Sequence, residues 1–458
     1  MNNIKKILAK YDKPGPRYTS YPPATYFSSE FDENIYKKNL IESNTSAPAG
    51  ISLYIHIPFC NEKCFFCGCN MTRKMGLTFE ERYVNALLTE MDTITSFLDK
   101  NREVIQIHWG GGTPNALPFE LIEKIMNAIR SKFTIGDNCE VAIECNPADL
   151  DDDKIVKLVD YGFNRVSLGI QDLRDDVLKL VNRRPSAMPV DQLVKKLKAA
   201  GIDSVNIDLI YGLPLQTVES FGETIEEIIK ISPDRLVTFS YAHVPWVMKA
   251  QKALEKAGLP TADEKMAMLL SSQEKLIDSG YVAIGMDHYA KNTDLLNKAL
   301  DEKKLHRNFQ GYCTKETTGQ VYALGCSGIS QLTTAYSKNK KDPQKYIDRI
   351  EATGLAVIRG YELSVDEQIC RTVINEIMCN LYLDFVDVAN QYNTSIDYIK
   401  NIVEFNLSKL QEFIEDKLLT IDGEEIQISK EGSFIVRNIA MCFDPKRETD
   451  TAQYSRTV

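Results

Sequence analysis

Residues 51–70 read ISLYIHIPFCNEKCFFCGCN. The apolar, β-branched run of Ile51, Leu53, Tyr54, Ile55 and Ile57 predicts a buried strand, which Pro58 ends. Four cysteines follow at once, Cys60, Cys64, Cys67 and Cys69, spaced CxxxCxxCxC. Thiolates are preferred ligands of soft metal centres, iron–sulfur clusters above all. A structural zinc site usually shows two separated pairs of Cys or His ligands, and no second pair follows here. A disulfide is disfavoured where no secretory signal precedes. A lone CxxC could be redox-active, but this one is embedded in a longer array. CxxxCxxC can wrap three corners of a cubane and leave one iron open to a small molecule.

A strand–helix rhythm runs outward from this stretch. Strand-like runs recur at 53–57, 104–109, 141–144, 165–170, 204–210 and 235–241. Between them lie amphipathic patterns. Val84, Leu87, Leu88, Met91, Ile94 and Leu98 share one helical face. Leu121, Ile122, Ile125, Met126 and Ile129 repeat the pattern, as do Leu193, Val194 and Leu197. Six βα units predict right-handed crossovers and a parallel sheet. Six are too few for a closed eight-unit barrel. The expected fold is therefore α/β, a partial parallel (β/α)6 barrel with one open side.

In parallel barrels chemistry sits where the strands end, and the unusual polar residues of this chain fall there. The second run ends in Gly110-Gly111-Gly112-Thr113-Pro114. Three glycines let backbone approach a ligand closely and expose N–H groups; a tight turn alone needs one. The third run ends at Glu144, the fourth at Gln171, the fifth at Asp208 to Pro214, and the sixth at Tyr241-Ala242-His243. Singly, Glu144 reads as a helix cap and Asp208 as a buried strand-end carboxylate. Together, polar side chains converging from successive strand ends fit a nucleoside site.

CxxxCxxC directly after a strand resembles the radical S-adenosylmethionine (SAM) superfamily. The added Cys69 within FCGCN, with RYTSYP (17–22), GGGTP (110–114), GMDHYA (285–290) and HRNFQGY (306–312), resembles one family inside it, the oxygen-independent coproporphyrinogen III oxidases. The resemblance implies a three-quarter barrel and a [4Fe–4S] cluster on the catalytic trio Cys60, Cys64 and Cys67, with SAM on the open iron and Cys69 off the cluster. It implies that Tyr54, Gly111, Glu144 and Ile329 contact this SAM. Phe66, Gly112, Thr113, Gln171, Arg183, Asp208 and Ala242 match positions for a second SAM. The implied chemistry is cleavage of SAM to methionine and a 5′-deoxyadenosyl radical. That radical removes a β-hydrogen from each of two propionates of coproporphyrinogen III, which lose carbon dioxide to become the vinyl groups of protoporphyrinogen IX. Arg17, Arg307 and Gln310 are the expected substrate-binding residues, because a guanidinium offers a carboxylate two parallel donors. The expected partners are coproporphyrinogen III and a low-potential electron donor such as flavodoxin or ferredoxin. The chain is expected to act as a monomer. Cys313 stands where the family pattern has threonine, a change that bears on local contacts only. Two other readings use the same scaffold: a haem-binding or haem-transfer protein, and a methylating or ring-opening radical SAM enzyme. A zinc-stapled α/β protein is the purely structural alternative, which the missing second ligand pair disfavours.

The rest of the chain bounds these readings. Its 458 residues can bury a large core, and 43% hydrophobic with 26% charged residues is ordinary globular composition. A net charge of −10 disfavours nonspecific nucleic-acid binding. No apolar run approaches the ~20 residues of a membrane span. The first residues have too short an apolar core for a signal peptide, and eleven cysteines then point to a reducing cytoplasm. Residues 1–48 are expected to form an arm over the active site, extended where proline and aromatics crowd at 14–24. Residues 49–360 form the expected barrel with its substrate-binding extension. Residues 361–458 are expected to form a helical, winged-helix-like cover, with a hairpin turn at Asp422-Gly423. Residues 280–290 read as one more strand, and 291–320 as a long functional loop with little periodicity. Among the histidines, His56 and His108 lie on strands, where a hydrogen-bonded core or rim histidine is commoner than a catalyst. His243 and His288, at strand ends, are the stronger candidates.

Overall fold

In the computed structural model, which describes residues 2–447, six strands pair in parallel and in chain order. They are β1 (Ile51–Ile57), β2 (Glu103–Gly111), β3 (Thr134–Cys145), β4 (Arg165–Gln171), β5 (Ser204–Tyr211) and β6 (Arg235–Ser240). The helices between them bury the predicted faces. Leu77–Thr95 buries Val84, Leu87, Met91 and Ile94; Phe119–Lys132 buries Leu121, Ile122, Ile125, Met126 and Ile129; Val190–Ala200 buries Leu193, Val194 and Leu197.

The six strands belong to a longer sheet. β7 (Tyr281–Gly285) and β8 (His288–Lys291) add an antiparallel hairpin beside β6. β9 (Gln320–Leu324) adds a seventh parallel strand on the far side of β1. β10 (Ile329–Gln331), β11 (Ala335–Asn339) and β12 (Val357–Glu362) continue antiparallel from it. The order β12-β11-β10-β9-β1-β2-β3-β4-β5-β6-β8-β7 leaves two unjoined edges, so the barrel is partial and open.

Two expectations need correction. Residues 280–290 are not one strand but the β7–β8 hairpin. Its turn uses Met286 at φ 49°, so no turn-forming glycine or asparagine marks it. Residues 291–320 are not a structureless loop. They hold a helix, Leu295–Asp301, started by the Asp294 carboxylate, and a hairpin of Leu305–Asn308 with Gly311–Thr314. Strands of four residues are too short to show alternation.

Strand alternation explains what positions the site. Successive side chains on a strand face opposite ways. Leu53, Ile55, Ile57, Ile107, Trp109, Val166, Leu168, Val205, Ile207 and Leu209 are buried in the main apolar core. The intervening positions, among them His108, Glu144, Arg165, Ser167, Asn206, Asp208 and Arg235, line an enclosed polar cavity of about 110 Å³. Below them lies an ion network. Glu140 accepts from Arg165 Nη1 (3.0 Å) and Gln106 Nε2 (3.0 Å), with Arg235 Nη1 at 3.9 Å. Arg235 Nε donates to Asp294 at 2.8 Å. Burial opposes the charge of Glu140, but Arg165 and Arg235 outweigh it and bring its carboxyl down to about 2.

A second core gathers around the helix Val365–Asn380. Behind it the chain forms the helices Phe385–Gln391, Ile396–Ile402 and Leu407–Glu415 and a sheet of Tyr382–Asp384, Leu419–Asp422 and Glu425–Ile428, with the turn at Gly423. Residues 448–458, the end of the expected cover, lie outside the described residues. The expected arm is shared between the two cores. Ile7, Leu8, Tyr11, Tyr18 and Tyr21 join the second, with Tyr11 stacked on Phe413 at 4.8 Å, whereas Phe31, Tyr36 and Leu40 join the first. No helix among the described residues is long and apolar enough to cross a membrane.

Glu140 is ionised in the folded state well below the carboxylate's ordinary 4.5, so its contribution is complete above pH 4.5 and lost as pH falls toward 2. Glu140→Gln is expected to cost about 3 kcal/mol at pH 7. That deficit should shrink between pH 4.5 and 3 in denaturant titrations of both proteins.

Candidate active site

The cysteine loop leaves β1 at Pro58 and is tied down at both ends. Phe59–Cys60 pairs with Thr72–Arg73. Phe65 N donates to Val181 O (2.9 Å), and Asn182 Nδ2 donates to Lys63 O (2.9 Å). Cys60 Sγ lies 3.1 Å from Thr113 Oγ1, Arg183 Nη1 lies 3.5 Å from Cys64 Sγ, and the backbone N–H of Cys69 points at Cys67 Sγ (3.4 Å). A hydrogen bond from Cys69, with Arg183 and Lys63 nearby, draws the Cys67 thiol down, while that same contact and burial push Cys69 up. Among the described residues, no three His, Cys, Asp or Glu side chains close around a point as one ion requires. A four-iron cluster asks for thiolates that stand apart, each on its own iron. Three free thiols on one loop, with a guanidinium beside Cys64, supply the donor type such a cluster takes.

The glycine run of β2 works by closeness. A Cβ on Gly110 would stand 2.8 Å from the Glu144 carboxylate, one on Gly111 2.6 Å from the His56 ring, and one on Gly112 2.6 Å from Pro58 O. The exposed N–H groups expected there are not exposed. Gly111 N donates to Glu144 (3.3 Å), Gly112 N to Ile57 O (2.8 Å) and Thr113 N to Phe59 O (2.9 Å). The run seals β2 against the start of the cysteine loop.

Glu144 is not a helix cap; Asn146 performs that task through Ala148 N. Its carboxylate meets His108 Nε2 at 3.1 Å. Burial opposes its charge, but the bonds from His108 and Gly111 win and hold its carboxyl below the usual range. Asp208 takes the other direction. Burial and the charge of Glu144 push it up to about 6, against donors from Asn206 (2.8 Å) and Ser167 (3.1 Å).

Glu144 separates two cavities. The deeper one is the polar cavity already described. The outer one, about 290 Å³, is lined by Tyr54, His56, Cys69, Asn70, Gly111, Glu144, Phe309, Gln310, Ser327 and Ile329. His56 ties its walls together: Tyr54 Oη lies 3.1 Å from Nδ1, and Asn70 O (3.1 Å) and Ser327 Oγ (3.3 Å) lie at Nε2. The turn after β9 is held by buried Glu90, which accepts from Gly325 N (2.8 Å), Asn339 Nδ2 (2.6 Å) and Tyr346 Oη (2.6 Å). Burial still pushes that carboxyl up to about 7.

Of the expected residues, Tyr54, Gly111, Glu144, Ile329 and Gln310 meet at the outer cavity, while Asp208 lies in the deeper one. Arg183 reaches Cys64 and also bonds Gly169 O; its Nε and Gln171 Oε1 are buried with no protein partner. Such orphaned atoms await a ligand or water. Phe66 and Ala242 are joined through Gln251, which donates to both carbonyls (3.2 and 3.1 Å). Arg17 and Arg307 meet through the Arg17 carbonyl, which accepts from Arg307 Nη1 (3.1 Å), and Arg307 lies over the Tyr312 ring.

Residues 54–228 match the radical SAM superfamily. Along nearly its whole length the chain is 38% identical to the oxygen-independent coproporphyrinogen III oxidase of Synechocystis sp., covering 99% of this chain and 97% of the relative. The chain belongs to the oxygen-independent coproporphyrinogen III oxidase family. It is 37% identical to the Escherichia coli relative of the same description, covering 99% and 98%. It superimposes on the solved structure of the coproporphyrinogen III oxidase from Escherichia coli, described as a radical SAM enzyme, with a TM-score of 0.89. That match covers 96% of this chain and 98% of that one at 36% identity.

The histidines of this family member divide otherwise than by strand interior and strand end. His56 and His108, read as strand residues of the core, face the cavities. His243 lines neither; it sits between Tyr241 Oη (2.9 Å) and Glu255 (3.3 Å). His288 does line the deeper cavity and pairs with Asp287 at 2.8 Å. The parity of Tyr54 and His56 along β1 was the available signal. Phe309 belongs to the HRNFQGY motif at 306–312; Ser327 and Gln251 were not singled out, and only the fold brings them in.

Gly111 sits at φ +116°, with the His56 ring where a Cβ would go. Gly111→Ala is expected to cost about 1–3 kcal/mol in unfolding and to shift the imidazole NMR signals of His56. Unchanged signals would show that the ring does not depend on this approach.

Proposed function

We propose that this enzyme converts two propionates of coproporphyrinogen III to vinyl groups without oxygen, giving protoporphyrinogen IX. The observation that carries this reading is the meeting, at one cavity, of the cysteine loop and the Phe309-Gln310 turn of the 305–314 hairpin. The protein is a radical SAM oxidoreductase of porphyrin synthesis by family. Cys60, Cys64 and Cys67 would hold the [4Fe–4S] cluster. Tyr54, Gly111, Glu144 and Ile329 would hold the SAM beside it, and Phe66, Gly112, Thr113, Gln171, Arg183, Asp208 and Ala242 a second SAM. When bound, cluster and SAM supply one-electron, hydrogen-abstracting chemistry that no side chain carries.

The chain's own residues bind, orient and exclude water. Glu144, held ionised, suits an ammonium group; Asp208, held closer to neutral, can accept or donate. Arg17 and Arg307 hold substrate carboxylates, and Gln310 faces the ring from the hairpin turn. Each reacting propionate loses its carboxyl as carbon dioxide, with one hydrogen atom and one electron. Residues 1–48 and the unit after 360 act as covers over the 49–360 barrel. We place the enzyme in the cytoplasm as a monomer served by a flavodoxin or ferredoxin.

Anaerobic purification, iron and sulfide counting, and mass analysis of products from coproporphyrinogen III plus SAM test the reading. Cys60→Ser, Cys64→Ser and Cys67→Ser are each expected to lose iron and all vinyl product, while Cys69→Ser keeps its iron. Arg307→Ala is expected to raise KM for the substrate roughly 10–100-fold, the worth of one charged hydrogen-bonded pair. If neither Arg307→Ala nor Arg17→Ala moves KM, the carboxylate assignment is wrong.

A further inference from the structure

After β6 the chain does not turn directly into a helix. Residues 242–259 fold back over the cysteine loop. Gln251, 2% exposed, accepts from Val244 N (2.6 Å) and donates to Phe66 O in that loop. Phe65 and Phe66 pack with Val177, Val181, Tyr241 and Leu254. A Cβ on Gly68 would lie 3.7 Å from Met248 Cε. This arrangement leaves Trp246 75% exposed and Val247 65% exposed, the two highest values among large apolar side chains of the described residues. An adjacent apolar pair left in water beside a reactive loop marks an interaction surface.

The charge around the pair runs against the sign of the whole chain. Lys63, Lys249, Lys252 and Lys256 are all exposed, and none has an ion-pair partner among the described residues. Of the acids in the same stretches, Glu62 pairs with Arg184 (3.6 Å), while Glu255 stays within the segment against His243 (3.3 Å). A chain of net charge −10 thus places four exposed lysines, without ion-pair partners among the described residues, on the segment of the exposed tryptophan and the loop beneath it, against the exposed Glu255. Behind it the cysteine loop is exposed at Gly68, beside Met248.

We propose that this face docks an acidic, low-potential one-electron carrier protein. The inference rests on the function proposed above, which requires electrons at the cysteine loop. One electron leaves the reduced carrier, which is oxidised, and enters the cluster, which is reduced. No bond or proton moves. An apolar centre with a basic rim supplies contact and steering for an acidic partner, and the partner then sits against the loop it must serve.

The test compares two electron sources in the reconstituted enzyme, a reduced acidic flavodoxin and dithionite. Trp246→Ala and the double variant Lys249→Glu, Lys252→Glu are expected to raise KM for flavodoxin at least tenfold and to leave dithionite-driven turnover unchanged. The salt dependence of the flavodoxin-driven rate should flatten in the charge variant. An unchanged KM for flavodoxin overturns the proposal. So does an equal loss with dithionite, which would make the segment a support for the site. A wild-type dimer in sedimentation that Trp246→Ala dissociates overturns it too, since a second copy would then be the occupant. If the wild type forms no vinyl product even with dithionite, the function reading fails instead. Calorimetric titration with flavodoxin then decides the docking face by itself: binding lost in both variants upholds it, and binding unchanged or absent overturns it.

Discussion

A parallel barrel whose inner face is polar must satisfy every group it turns inward. Parallel strands are ordinarily apolar on both faces, and a buried charge without a partner costs several kcal/mol. Here the requirement is met at the base by Glu140, with Arg165 and Gln106 bonded to it and Arg235 shared toward Asp294. With the base neutralised, the strands can carry His108, Glu144, Ser167 and Asp208 higher up, where a ligand has room. The same alternation sends Leu53, Ile55, Trp109 and Leu168 outward into the helical layer. Core and site are therefore two faces of one set of strands, and neither exists without the ion network between them.

Above the base, the electrostatics diverge between two neighbouring carboxylates. His108 and the Gly111 amide hold Glu144 charged, and that charge lifts Asp208. Two neighbouring acids are thus shifted in opposite directions, Glu144 down and Asp208 up to about 6. The walls are set by groups that do no chemistry. Glu90 holds the turn after β9, Gln251 holds the chain after β6, and both are buried side chains with three hydrogen bonds each. Precision at the rim comes from the neighbours of the site as much as from its members.

The barrel was legible because its signals are local. Period-two runs, helical faces and a four-cysteine array each lie within twenty residues. What escaped was non-local or unmarked. Met286 and Asp287 make a two-residue turn inside an otherwise strand-like run, so β7 and β8 read as one strand. The hairpin that brings Phe309 to the cavity has strands of four residues. His56 and His108 were ranked low because strand histidines are usually structural, yet the parity of Tyr54, His56 and His108 with the inner face was already written in the residues. The glycine run was read correctly as a place of close approach and wrongly as a source of free amides, since only the structure shows those amides spent on Glu144, Ile57 and Phe59.

The two ends of the chain are stitched together. Arg447 donates to Pro14 O, Arg437 to Gly15 O and Pro16 O, and Arg307 to Arg17 O, while Tyr11 lies flat on Phe413. Residues 7–21 share their core with members at 270–312 and at 369–443, so that core is complete only when the last of these has been made, roughly 20–80 s later at ordinary elongation rates. The barrel strands are complete long before that. Biosynthesis accordingly delivers β1 to β6 before the core that seats residues 7–21, so a segment made before the barrel is fixed in place after it.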